Sequence, residues 1–138
     1  MPRRKQLRKV VAPPSFRGYR PYGYRQRQGR KKHVELLYEE YEAIKLADYD
    51  LMNHLEASKL MGISRPTFAR IYESARRKIA GALVETREIR SVFGNARLDQ
   101  SWFICDGCYA RFTLPPTLQG RACPMCRSIE IHPINQTR

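Results

Sequence analysis

The sequence predicts a mainly α protein, a three-helix bundle with a helix-turn-helix, followed by a small β zinc-ribbon-like C-terminal module. Three observations carry that expectation. Apolar residues recur at spacings of three and four from residue 68 to residue 82, a glycine interrupts the helical pattern at Gly62, and all four cysteines fall in two C-x2-C pairs. The 138 residues divide accordingly into a basic, largely irregular arm (1–34), a helix-turn-helix domain (35–85), a linker (86–98) and a four-cysteine module (99–138).

The arm concentrates the charge. Residues 1–32 hold twelve Lys or Arg and no acidic residue, whereas the other 106 hold 14 basic and 13 acidic side chains, so +12 of the net +13 lies at the N-terminus. Such a block repels itself and cannot recover the entropy of ordering by burial. It is either a solvated tail or an arm that lies on a polyanion, with nucleic acid the foremost candidate and Arg3, Arg4 and Lys5 the leading phosphate contacts. Phe16, Tyr19, Tyr22 and Tyr24 interleave with the arginines and can stack on bases or pack on a folded neighbour. Pro13, Pro14, Gly18, Pro21 and Gly23 disfavour a regular helix there. The start, Met1-Pro-Arg-Arg-Lys, has no apolar stretch behind it, and no run approaches the roughly 18 apolar residues of a membrane span. The expectation is a cytoplasmic protein without membrane association.

Residues 35–50 read as the first helix, with Glu39, Glu40 and Glu42 near its positive end and Leu37, Tyr41, Ile44 and Ala47 forming an apolar face. Asn53 is the expected N-cap of the second helix, with Glu56 three residues on, and Gly62 ends it by supplying a left-handed turn. Ser64 then caps a long third helix with Pro66 in its first turn. Phe68, Ile71, Ala75, Ile79 and Ala82 make its inner stripe, and Arg65, Thr67, Arg70, Ser74 and Arg77 its outer side.

The run from Ala57 to Phe68 has what a helix-turn-helix requires: small Ser58 where two helices cross, Met61 and Ile63 flanking the glycine turn, and Phe68 anchoring the next helix. The start of the third helix then faces outward, where an α-helix fits the major groove of double-stranded DNA. Arg65, Thr67 and Arg70 are the candidates for base contact, a bidentate Arg–guanine pair discriminating by about 1–3 kcal/mol. Ser74 on the same side is a further candidate DNA contact, and Arg76, Arg77 and Lys78 lie further along, where phosphate is the expected target. A glycine turn between apolar stripes also occurs in helical bundles with no such role.

Residues 39–49 (EEYEAIKLADY) and 56–80 (EASKLMGISRPTFARIYESARRKIA) closely resemble a prokaryotic family known as domain of unknown function 134. The resemblance extends to Met1-Pro-Arg-Arg and Tyr19-Arg-Pro-Tyr-Gly23 and covers roughly two thirds of the chain. It implies DNA binding through a helix-turn-helix similar to region 4 of sigma factors.

Cys105-Asp-Gly-Cys108 and Cys123-Pro-Met-Cys126 are separated by 14 residues, a spacing close to that of zinc ribbons. Two residues between cysteines let a turn aim both thiolates at one ion, and two such knuckles make a tetrahedral sulfur site. Zinc is expected ahead of iron, since both accept four thiolates. Two disulfides fit a chain without a secretory signal poorly, and a redox dithiol would need a thioredoxin-like pattern. Four protein ligands leave no open position, so the site is structural. Trp102, Phe103, Tyr109 and Phe112 are expected to pack around it, with short strands at 102–104, 111–114 and 128–131. His132 could substitute for a cysteine, though it reads more simply as a surface residue, as do His33 and His54.

Together these features predict a non-enzymatic, sequence-specific DNA-binding protein and transcriptional regulator. No Ser/His/Asp set, carboxylate pair or phosphate loop is visible. The alternatives are an RNA- or ribosome-associated protein and an adaptor that holds RNA polymerase or another protein through the ribbon. A homodimer is the candidate assembly, because single helix-turn-helix units bind short sites weakly.

Overall fold

The computed structural model describes residues 7–23, 32–94, 96–98, 101–114 and 120–134. Among them the mainly α, three-helix-bundle expectation is overturned. Three α-helices share the chain with eight strands in three small sheets, leaving 37% helix against 23% strand. The five strands outside the C-terminal module pair with segments distant in sequence, which is why periodicity alone did not reveal them.

The arm, expected to be largely irregular, contributes two of those strands, β1 (Arg8–Val10) and β2 (Gly18–Tyr19). Residues 35–37, expected to begin the first helix, join Val34, expected to end the arm, in β3 (Val34–Leu37), in which Val34 and Leu36 are buried and Glu35 is exposed. That alternation is the period of a strand. The chain continues through α1 (Tyr38–Ile44), a π-helical stretch (Lys45–Tyr49), α2 (His54–Met61) and α3 (Arg65–Glu85). It then enters β4 (Ile89–Val92) and β5 (Ala96–Leu98), where a linker was expected.

Strand β4 lies between β2, to which it is antiparallel, and β3, to which it is parallel with Val34 opposite Ile89. Parallel neighbours need a crossover of a dozen or more residues, and here the whole helical segment is that crossover. Both ends of the helical unit are therefore held on one sheet. Strand β1 pairs in parallel with β5, Val10 opposite Leu98. The arm is thus stitched to residues some 70 to 90 positions later. Gly18 permits the close approach of β2, since a Cβ there would stand 2.3 Å from the Ile89 carbonyl oxygen.

The helices pack on Ala43, Leu46, Ala57, Met61 and Phe68, flanked by Met52, Ile63, Ile71 and Tyr72. The stripe on α3 is realised, with Phe68, Ala75 and Ala82 buried. On α1 the sequence expectation is rotated. Tyr41, Ile44 and Ala47 are only partly buried, whereas Glu39, Glu40 and Glu42 lie inside. Burying a charge demands partners. Glu40 accepts from the Lys78 ammonium at 2.7 Å, the Ser74 hydroxyl at 2.6 Å and the Leu37 backbone N–H at 2.9 Å.

The C-terminal module is a three-stranded antiparallel sheet with β6 (Trp102–Cys105) between β7 (Arg111–Thr113) and β8 (Ile131–Pro133). Its third strand falls three residues later than expected, because residues 123–128 are consumed by the second cysteine turn. Trp102 and Ile134 pack against Val10, Tyr38, Ala96 and Leu98, joining the module to the arm and to the first helix.

Candidate nucleic-acid interface and metal centre

The turn between α2 and α3 is built by caps at each step. Asn53 accepts from the Glu56 backbone N–H at 2.8 Å and donates its side-chain amide to the Glu56 carboxylate at 2.8 Å. Ser58 is 2% exposed, and its hydroxyl donates to the Leu55 carbonyl, so a small polar residue sits where the helices cross without an unmet hydrogen bond. Gly62 ends α2 at φ +67°, a left-handed conformation that glycine adopts freely. Ser64 accepts from the Thr67 backbone N–H and donates to the Thr67 hydroxyl at 2.8 Å, starting α3 with Pro66 in its first turn.

This geometry sorts the residues singled out from the sequence. Arg65 and Arg70 are exposed at the N-terminal end of α3. Thr67 stands between them half-buried, its hydroxyl engaged in the cap. Arg76 is exposed with its guanidinium 5.3 Å from the Tyr72 ring, and Arg77 is paired with Glu73 at 2.9 Å. Ser74 and Lys78 turn inward to Glu40, and Lys78 also donates to the Glu35 carbonyl at 2.8 Å. Both are tied to the protein's own interior instead of the open face. Arg3, Arg4 and Lys5 lie outside the described residues.

One cation near the turn was not singled out in the sequence. The stem of Lys9 in β1 lies over Gly62, its Cδ and Cε 3.6 Å from where a Cβ would stand. Its position follows from the pairing of β1 with β5, which no local pattern announces. Of the arm's aromatic rings, Phe16 packs edge-on against Tyr19 and Tyr41, while Tyr22 is fully exposed. His54 packs against Phe68 and Tyr72, and His132 bonds Asp106.

The four cysteines are brought together by two turns of the same construction. Gly107 N–H points at Cys105 Sγ at 3.3 Å, and Met125 N–H at Cys123 Sγ at 3.4 Å. The N–H of Tyr109 donates to the Cys105 carbonyl and that of Arg127 to the Cys123 carbonyl, each at a positive φ. Two irregular loops thus repeat one hydrogen-bond pattern, as two equal halves of one site require. All four Sγ atoms lie within 4.8 Å of one another, with Cys105–Cys126 and Cys108–Cys123 at 3.5 Å. A tetrahedral ion with metal–sulfur bonds of about 2.3 Å needs sulfurs about 3.8 Å apart, so the donor set fits a metal ion. The same separations exceed a disulfide bond of about 2.05 Å, and all four thiols are free.

Backbone N–H groups favour the thiolate at Cys105 and Cys123, whereas burial and neighbouring sulfurs oppose it at Cys108 and Cys126. The backbone N–H groups of Cys108 and Gly107 hold the Cys105 thiol below its ordinary value. Burial pushes the Cys123 thiol up, but the N–H groups of Cys126 and Met125 outweigh it and bring the thiol to about 7. Cys108 has a backbone contact at Ala110 that favours its thiolate, yet burial and the three neighbouring sulfurs push it up to about 12. Four thiolates cannot share this volume without a positive charge among them. Phe103 and Phe112 stack beside the site as expected, whereas Trp102 packs toward the arm and Tyr109 is exposed beneath Arg17. No helix among the described residues is long and apolar enough to cross a membrane.

A family model described as "Protein of unknown function DUF134" matches residues 1–97. Similar curated proteins reach further. A UPF0251 protein of Chloroherpeton thalassium is 39% identical over 128 residues, covering 93% of this chain and 83% of that protein. One from Pelotomaculum thermopropionicum is 37% identical over 134 residues, 97% of this chain and 99% of that protein. One from Methanothermobacter thermautotrophicus is 35% identical over 135 residues, 98% of this chain and 69% of that protein. No solved structure matches the chain at a significant level.

Proposed function

The chain belongs to the family of proteins of unknown function DUF134, and on that premise we propose that it is a sequence-specific double-stranded DNA-binding protein, a transcriptional regulator acting by binding and not by catalysis. Helix α3 enters the major groove from its N-terminal end. Arg65 and Arg70 contact base edges, with Thr67 as the cap that fixes their starting angle. Arg76 and Arg77 meet phosphate further along, and Lys9 adds a cation beside the turn. The single observation that carries this reading is the outer face of α3: Arg65 and Arg70 are exposed among the described residues and stand beside the glycine turn that joins α2 to α3.

The four cysteines hold zinc in this reading. A closed set of four thiolates suits a structural ion, and reduced cysteines suit a cytoplasmic protein. The ion organises loops that have little apolar core of their own, and the module it stabilises anchors the arm through Trp102 and Ile134. The module's outer surface is then available to a second protein such as RNA polymerase.

The deciding experiment begins with selection of duplex DNA from a random pool by the metal-loaded protein. The expected result is an enriched motif whose binding falls by roughly ten-fold or more with Arg65→Ala or Arg70→Ala, while thermal stability is unchanged. Log affinity should also decline steeply with log salt, as counterions are released from each neutralised phosphate. Absence of an enriched motif, or preference for structured RNA over duplex DNA in competition, overturns the reading.

A further inference from the structure

Away from the outer face of α3, a cleft of about 790 Å³ opens between β2, β4 and the metal module. Its wall carries four guanidinium groups, Arg17, Arg20, Arg90 and Arg111, against the single carboxylate of Glu88, leaving a net of three positive charges. These side chains come from three separate parts of the chain: the arm, the strand after α3 and the second strand of the module. We propose that this cleft binds a small phosphorylated anion of nucleotide size, at a site separate from the helix-turn-helix.

Several independent features support that assignment. The arginines are drawn toward one another by shared partners, although Arg20 and Arg90 keep much of their surface in solvent. Glu88 bridges Arg20 at 3.3 Å and Arg90 at 3.2 Å, and the Arg17 guanidinium rests 4.2 Å from the centre of the Tyr109 ring. The Arg17 carbonyl accepts from the Ser91 N–H at 2.8 Å, fixing the arm beside β4. One lining carboxylate does not neutralise four guanidinium groups, so the cleft keeps a net positive charge even with Glu35 opposite Arg90 on the neighbouring strand.

One donor on the wall also lacks an acceptor. Arg111 donates from one terminal nitrogen to the Tyr109 carbonyl at 3.3 Å, while its Nε is shielded from solvent and has no hydrogen-bond partner among the described residues. A shielded donor without an acceptor is costly, and the oxygens of an oxyanion supply acceptors of the right kind. Phosphate is favoured over a simple carboxylate because three excess positive charges call for a multiply charged ligand, and the guanidinium fork pairs with phosphate oxygens two at a time.

Size and lining extend the ligand beyond a bare phosphate. Pockets of roughly 300–1,000 Å³ at the junction of structural units are typical of small-molecule sites. Val92, Ile104 and the rings of Tyr38 and Tyr109 provide apolar and aromatic surface for the rest of such a molecule. A nucleic-acid strand fits less well. Arg65 and Glu88 lie at opposite ends of α3, a helix of about 30 Å, and the cleft is concave where a strand would need an open track. An occupant would touch the arm, the sheet that holds both ends of the helical unit, and the metal module at once.

The test is titration calorimetry of the full-length, metal-loaded protein with ADP and, separately, with inorganic pyrophosphate at physiological salt. Saturable one-to-one binding of ADP is expected. Arg111→Ala and Arg90→Ala, on different sheets, should each weaken it roughly ten-fold or more through loss of a charge-assisted contact. Arg65→Ala should leave it within about two-fold, since that side chain is a helix length away. Unchanged circular dichroism and Trp102 fluorescence establish that the cleft variants are folded. No saturable binding of either probe overturns the proposal. So does equal weakening by Arg65→Ala, which would mark general attraction to a basic chain, or a loss confined to oligonucleotide binding in Arg111→Ala. DNA selection reads a different face, so failure of the regulator reading leaves the ADP result standing, and the reverse holds too.

Discussion

Replacing Lys78 by methionine separates stability from recognition. From sequence, Lys78 belongs with the phosphate contacts. In the structure its ammonium lies 2.7 Å from Glu40, whose side chain is 4% exposed, and also bonds the Glu35 carbonyl. Removing one partner of a fully buried ion pair costs about 3–5 kcal/mol, because the other charge stays behind unpaired. Lys78 is itself a third exposed, and Glu40 keeps the Ser74 hydroxyl and the Leu37 N–H, so the cost should fall to about 2 kcal/mol. Methionine preserves the stem's packing and isolates the charge. For a chain of this length that penalty lowers the unfolding midpoint by about 8 °C. The assay is thermal unfolding of the metal-loaded protein followed by helical circular dichroism, with DNA affinity measured in parallel below the transition. A midpoint within about 2 °C of the parent, together with a ten-fold loss of DNA affinity, would refute the argument and return Lys78 to the phosphate contacts. The Glu40→Gln, Lys78→Met double variant should recover part of the loss, since no charge is then stranded.

Other outcomes follow from the metal site, the glycine turn and the Glu88 contacts. Chelation of the proposed zinc ion, or Cys105→Ser, should release one metal per chain and shift the fluorescence of Trp102, the sole tryptophan, while α3 keeps most of its helical signal; an unchanged spectrum would mean that the module holds without a metal. Gly62→Ala should cost about 1 kcal/mol in denaturant unfolding through its left-handed φ alone, and Gly62→Asn less, because a Cβ there meets only the pliable Lys9 stem; equal losses would argue for a steric cause. The Arg90 hydrogen bond, helped by Arg20, holds the Glu88 carboxyl below its ordinary value of 4.5. Its folded-state value is the depressed one, so the contribution to stability is full above 4.5 and is lost as pH falls through the folded value. A carboxyl titration by NMR should place the Glu88 midpoint below 4.5, moving upward in Arg90→Ala.

Much of the local architecture was legible in the chain. The caps at Asn53 and Ser64, the glycine turn, the inner stripe of α3 and the cysteine pairs depend on residues within a few positions of one another, and each appears where the spacing placed it. The helical reading failed at residues 35–37, where a run this short fits a strand and a helix equally well. Only the partner β4, more than fifty residues later, decides between the two.

The sequence by itself determined the short-range features: where α2 starts and stops, where α3 starts, which face of α3 is apolar, and which four sulfurs share a site. Tertiary structure alone decided that arm residues become strands, that Glu39, Glu40 and Glu42 go inside, that Lys78 and Ser74 serve Glu40, and that four distant arginines line one cleft. The physical reason is range. Capping and periodicity act through bonds and contacts a turn apart, whereas strand pairing and charge burial are settled by whichever distant segment is available to receive them.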